Sequence, residues 1–112
     1  MKKLFREIHQ NAVDHGWWEN KSASSITLDE ILSKLALVHA EVSEGVEEVR
    51  KGRECCVYRV EGGKPEGLVV ELADAVIRIA DLCEALDLDL EQAIIQKHEY
   101  NKTRPYKHGK KI

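Results

Sequence analysis

Residues 26–50 read ITLDEILSKLALVHAEVSEGVEEVR, and this stretch decides the fold. Thr27 followed three residues later by Glu30 is a capping box, and Ile26 with Ile31 has the spacing of a hydrophobic staple, so a helix is fixed to begin here. Ile31, Leu35, Val38, Val42, Val46 and Val49 then recur every three or four residues, which predicts one buried stripe. Glu41, Glu44 and Glu48 fall on an adjoining stripe of the same helix, because residues three and four apart are neighbours.

Working outward, a first amphipathic helix spans roughly residues 2–15, with Leu4, Ile8 and Ala12 spaced by four and Gly16 as terminator. WWENKSASS (17–25) is a polar loop opened by two tryptophans. GRECCVYRVEGGKPEG (52–67) is a loop by its glycines and proline, in which CVYRV forms either a short strand or a contact with a second subunit. A third helix, about residues 68–86, is apolar around most of its circumference and belongs in the middle of a bundle. Its exceptions, Glu71, Asp74, Arg78 and Asp81, gather on one narrow face. Asp89 and Gln92 resemble a cap for a fourth helix that runs to about Thr103, short of Pro105. The expected fold is all-α and four-helix-bundle-like, in one domain covering residues 1–112.

Bulk composition narrows the function classes. With 43% hydrophobic and 33% charged residues, the chain is too apolar for disorder and too interrupted by charge for a membrane span. MKKLFREIHQ lacks the features of a signal peptide, so a cytoplasmic location is expected. Three cysteines, two of them adjacent at Cys55 and Cys56, offer neither a disulfide framework nor a zinc knuckle. A net charge of -3 argues against a nucleic-acid partner. The tail NKTRPYKHGKKI (101–112) is nonetheless strongly basic. It is either a solvated terminus or a ligand-binding element.

The acidic pairs carry the chemistry. Two carboxylates three residues apart on a helix can reach one hard cation, yet with 20 acidic residues in the chain a single pair is cheap. Placement raises the signal: Glu71 and Asp74 interrupt an apolar helix, where unpaired carboxylates are costly to desolvate. Either Arg78, one turn after Asp74, compensates them, or a divalent ion shared with Glu41 and Glu44 does. Carboxylates without organised His or Cys ligands suit Mg²⁺, with Mn²⁺ as a substitute, rather than Zn²⁺. A di-iron bundle needs Glu-x-x-His motifs, and the chain has none; His9, His15, His39, His98 and His108 read as surface or packing residues.

AEVSE (40–44) followed by ELAD (71–74) resembles the all-α MazG-like nucleotide pyrophosphohydrolases, relatives of the dimeric dUTPases. HGWWE, EVSEGVEEVR, KPEGLVVELADAVIRIADLCEAL and a closing Lys97, Asn101, Arg104 pattern extend the resemblance over most of the chain. It implies that Glu41, Glu44, Glu71 and Asp74 bind Mg²⁺. It further implies hydrolysis of a nucleoside triphosphate to a monophosphate and pyrophosphate, as in house-cleaning of nucleotide pools. The family's first motif is often EExxE, and its leading acid is Ala40 here. If that acid is the general base in relatives, this chain has to use another group or an ordered water; Glu48 is the expected substitute, beside Glu41 and Glu44 in the catalytic set, and is otherwise a solvated helix charge.

Lys97 and Arg104 are expected to bind phosphates, Asn101 phosphate or sugar, and Lys110 to assist. Trp17 or Trp18 stacks on the base while the other packs in the core. Because the third helix is apolar on nearly all sides, a homodimer or homotetramer is expected. Two rival readings are a non-catalytic helical interaction module and a nucleotide-binding regulator without turnover.

Overall fold

A computed structural model describes residues 1–19 and 21–109. Four α-helices carry the chain: α1 (Lys2–Asp14), α2 (Leu28–Lys51), α3 (Leu68–Ala85) and α4 (Leu90–Lys102). Strands β1 (Arg59–Glu61) and β2 (Lys64–Glu66) form a small hairpin between α2 and α3, which decides for a strand within the 52–67 segment. Among the described residues no helix is long and apolar enough to cross a membrane.

The helix starts follow from local chemistry. Thr27 Oγ1 accepts from the Glu30 backbone N–H at 3.1 Å, and Ile26 is buried in the cluster against which Ile31 packs, so capping box and staple both form. Asp89 caps α4 by accepting from the Gln92 N–H at 3.0 Å. The hairpin turns on Gly62 and Gly63, both with positive φ, the combination that a two-residue type I′ loop requires.

Helix α3 lies between α1 and α2, as its apolar composition predicts. The apolar core sits toward its C-terminal end, where Trp18, Ile26, Leu82 and Ala85 cluster with Ala12, Val13, Ile31 and Leu86 around them. At the other end, the face that α2 turns toward α3 is not the apolar one. Its buried residues are Glu41, Gly45 and Glu48, whereas Leu35, Val42, Val46 and Val49 are exposed. This corrects the expected buried stripe. The reason is steric: a Cβ on Gly45 would lie 3.0 Å from Leu68 Cδ1 and 3.7 Å from Glu71 Cβ, so α2 approaches α3 at its one glycine, and the acids beside it go in.

The unpartnered apolar faces leave a measurable excess of surface. A folded monomer of 12.7 kDa exposes about 6,200 Å², and this chain exposes 8443 Å², an excess on the order of 2,000 Å². Its radius of gyration is 16.7 Å, against about 13 Å for a compact chain of this length. Helix α4 has no buried residue, and the apolar α2 residues Leu28, Leu32, Leu35, Val42, Val46 and Val49 are exposed.

Gly67 closes the hairpin onto α3 with φ +121°, and a Cβ there would run into the Val57 carbonyl. Gly67→Ala should cost about 3 kcal/mol, from the disfavoured backbone plus the clash. Gly62→Ala, also at positive φ but in open space, should cost about 1 kcal/mol. Thermal melts of the two variants check this, and equal shifts would show that the hairpin does not press on α3.

Candidate metal centre and adjoining cavity

Gly45 brings α2 and α3 so close that their carboxylates meet. Glu41, Glu44 and Glu71 each place one oxygen within 4.8 Å of the others, which assembles three of the four expected ligands. Asp74 stands one turn beyond Glu71 on the same face. Its carboxyl is pushed up from the ordinary value first by burial and then by the charge of Glu41, against Arg78, with Glu44 adding to the rise.

Glu71 is the centre of the cluster. It is only 8% exposed, and its Oε2 is buried with no hydrogen-bond partner, a condition that a carboxylate in a folded protein rarely tolerates. Burial first, then the close approach and charge of Glu44 and the charges of Asp74 and Glu41, push its carboxyl up to about 7. All of these donors are carboxylate oxygens, the ligand type that hard divalent cations such as Mg²⁺ or Mn²⁺ take, so Glu41, Glu44 and Glu71 are residues that could hold one.

Arg78 makes no ion pair with Asp74, the structural alternative that the sequence allows, although its charge acts on that carboxyl. Its Nε donates to Glu41 Oε1 at 2.8 Å, across the interface between α3 and α2. Among the described residues Asp74 makes no ion pair.

Glu48 is neither a solvated charge nor a free base. It is 3% exposed, and Arg59 of β1 donates to its Oε2 at 3.1 Å and its Oε1 at 3.4 Å. That hydrogen bond, followed by the charges of Arg59 and Lys51, holds its carboxyl below the usual range, against burial. Glu48 thus anchors the hairpin beside the acids. Glu66 of β2 comes with it: Glu48, Glu66 and Glu71 also bring one oxygen each within 4.8 Å. Sequence spacing could not find Glu66, because it reaches the cluster through the hairpin, yet the Gly in SEGVE was a visible sign that two helices meet there.

Next to the acids lies a cavity of about 290 Å³ between α1, α2 and α3. Glu41 and Asp74 form part of its wall, and so do Arg78, Asp81, Lys34 and Trp17. The two tryptophans divide their work. Trp18 is the core residue, 3% exposed, and Trp17, 60% exposed, lines the cavity. The Lys34 ammonium stands 5.5 Å from the Trp17 ring centre and 4.5 Å from that of Trp18.

The expected phosphate ligands are elsewhere in the single chain. Lys97 Nζ and Arg104 lie over Tyr100, on and just beyond the same exposed helix α4, at 4.7 and 5.8 Å, and Asn101 sits between them in sequence. None of the three lines the cavity. Lys110 lies outside the described residues.

The raised carboxyl of Glu71 fixes a pH dependence for the metal-free protein. Between pH 4.5, the ordinary value, and about 7, the folded state binds more protons at Glu71 than the unfolded state does, and Asp74 is shifted in the same direction. The contribution of these groups to stability is thus complete below about 4.5 and is lost as pH rises through about 7. Glu71→Gln should raise the melting temperature of the metal-free protein at pH 8 and flatten this slope; thermal melts in chelator across pH 5–8 check it, and an unchanged slope would remove Glu71 as its source.

Comparison with family models, with curated proteins and with solved structures finds no match to this chain.

Proposed function

We propose that this protein is a divalent-metal-dependent nucleoside triphosphate pyrophosphohydrolase of the MazG-like architecture. The observation that supports it most is the buried, unpartnered Glu71 oxygen, set among Glu41 and Glu44 at one end of a cavity with an exposed tryptophan in its wall. Carboxylates cannot attract a polyanion by themselves, so an acid-lined pocket suits phosphate chemistry only with a cation present. Mg²⁺, when bound, supplies charge neutralisation to the phosphate oxygens and a more acidic water. Water adds across the anhydride bond between the α- and β-phosphates, giving a monophosphate, pyrophosphate and a proton.

The protein's own groups divide the rest. Glu41, Glu44, Glu71 and Asp74 would hold the cation, and Arg78, in the cavity wall beside Glu41, would offer its guanidinium to phosphate. Glu48 is engaged by Arg59 and Ala40 offers no acid, so Glu44, exposed yet within the cluster, would pass the proton to solvent. Trp17 stacks on the base.

Assembly is the second part of the proposal. A second copy of the chain covers the α2 stripe and the neighbouring Leu72 and Val76, and the excess surface matches the area of a stable homodimer or larger assembly. Lys97, Asn101 and Arg104 serve the phosphates only where an assembly brings an α4 against an acidic face. The engagement of Glu48 also favours a second reading, a nucleotide-binding regulator without turnover.

Two measurements test these statements. Asp74→Asn removes a ligand and strands no cation, because Arg78 pairs with Glu41. The metal-free variant should melt at or above the wild-type temperature, while Mg²⁺-dependent pyrophosphate release falls by at least about a hundredfold, as when one preorganised electrostatic contact is lost. An active Asp74→Asn enzyme would end the mechanism, and a wild type that binds nucleotide but releases no pyrophosphate would establish the regulator. For assembly, Leu32→Lys with Val49→Lys should turn an oligomeric wild type into a monomer in analytical ultracentrifugation. A wild type already monomeric at micromolar concentration would overturn it.

A further inference from the structure

Besides Glu41 and Asp74, the cavity wall contains a third carboxylate, Asp81, that the proposed chemistry does not use. Asp81 of α3 is 15% exposed at its side chain and fixed by two donors. Trp18 Nε1 donates to Oδ1 at 2.9 Å and to Oδ2 at 3.0 Å, and His9 Nδ1 lies 2.7 Å from Oδ1. An indole N–H can only donate and an ionised carboxylate can only accept, so His9 carries its proton on Nδ1 in this contact. Three elements thus hold one side chain: α1 through His9, the loop after it through Trp18, and α3 itself.

An ionised carboxylate offers about four acceptor positions, and these bonds leave capacity on Oδ2. Asp81 forms part of the cavity wall with Asn11 and Lys34, so that capacity is available to a ligand seated there. Ile8, Ala12, Leu37 and Ile77 supply apolar surface for a ring, and Trp17 adds a flat face. At about 290 Å³ the cavity lies at the lower end of small-molecule sites, roughly 300–1,000 Å³, which suits a single base with its sugar.

Given the nucleotide reading above, on which this rests, we infer that Asp81 selects nucleobases with an amino group at C4 of a pyrimidine or C6 of a purine. Cytosine and adenine present there an N–H donor that the carboxylate accepts. Uracil, thymine and hypoxanthine present a carbonyl oxygen at the corresponding ring position, and its lone pairs face a fixed negative charge. Trp17 stacks on either kind of base, so the discrimination falls to Asp81. Lys34 donates to a carbonyl or ring nitrogen, and the Asn11 amide adapts to either pattern by rotation. A site built to receive a hydrogen bond penalises an analogue that cannot make it far more strongly than an apolar pocket does.

The test compares substrates that differ in this one group. Wild-type kcat/KM should be at least about tenfold higher for dCTP than for dUTP and for dATP than for dITP. Asp81→Asn keeps an oxygen for the Trp18 N–H and offers an NH₂ group to the cavity, and should bring both ratios close to one. Equal or reversed wild-type ratios would overturn the inference and leave the hydrolase standing. Equilibrium dialysis of dCMP and dUMP in chelator separates the two claims: retention of dCMP over dUMP without hydrolysis of any triphosphate supports this inference and removes the hydrolase, and retention of neither, without hydrolysis, removes both. The wild-type ratios decide even where Asp81→Asn fails to fold.

Discussion

The approach of α2 to α3 at Gly45 is the constraint on which the rest of the structure depends. A glycine in the middle of a 24-residue helix costs about 1 kcal/mol relative to alanine. Here it lets two helices meet closely enough that glutamates from both share one small volume. The hairpin is drawn in by the same contact, because Glu48, one turn past Gly45, is the counter-ion of Arg59. Removing the closeness would separate Glu71 from Glu41 and Glu44, leave Arg59 without its buried partner, and open the end of the cavity that Glu41 and Asp74 line.

The molecule is thus split along the axis of α3. Trp18, Leu82 and Ala85 provide packing at one end, and carboxylates crowd the other. Arg78 and Arg59 each satisfy one glutamate, Glu41 and Glu48 respectively, and Glu71 is left over. Burial without a partner is what pushes the Glu71 carboxyl up to about 7, whereas the paired Glu48 is held below the ordinary range.

Most of the helix plan was legible in the sequence because it rests on local signals: the Thr27 and Asp89 caps, the glycine pair of the hairpin, the acid-bearing face of α3. The facing of α2 was not. Periodicity says that Val42, Val46 and Val49 share a side, but it cannot say whether that side meets this chain or another. The acidic cluster was legible as two spaced pairs, and three of those four carboxylates, Glu41, Glu44 and Glu71, do converge. The partners of Arg78 and Glu48 were not, since each lies on a different element and a helix wheel gives only neighbours within one helix. The tryptophans could be separated in role but not assigned, because adjacent residues in a loop carry no periodicity.

The exposed stripe on α2 bears on how this protein would behave in a cell. Under the assembly proposed above, a newly made chain finishes its apolar burial only when it meets a partner, so folding and association form one equilibrium. The folded fraction then depends on how much of the protein is present. Scarce copies would spend longer with apolar helices open to proteases, and abundance would protect them. The same mutation could be silent in a well-expressed background and severe in a poorly expressed one, without touching a single contact inside the chain.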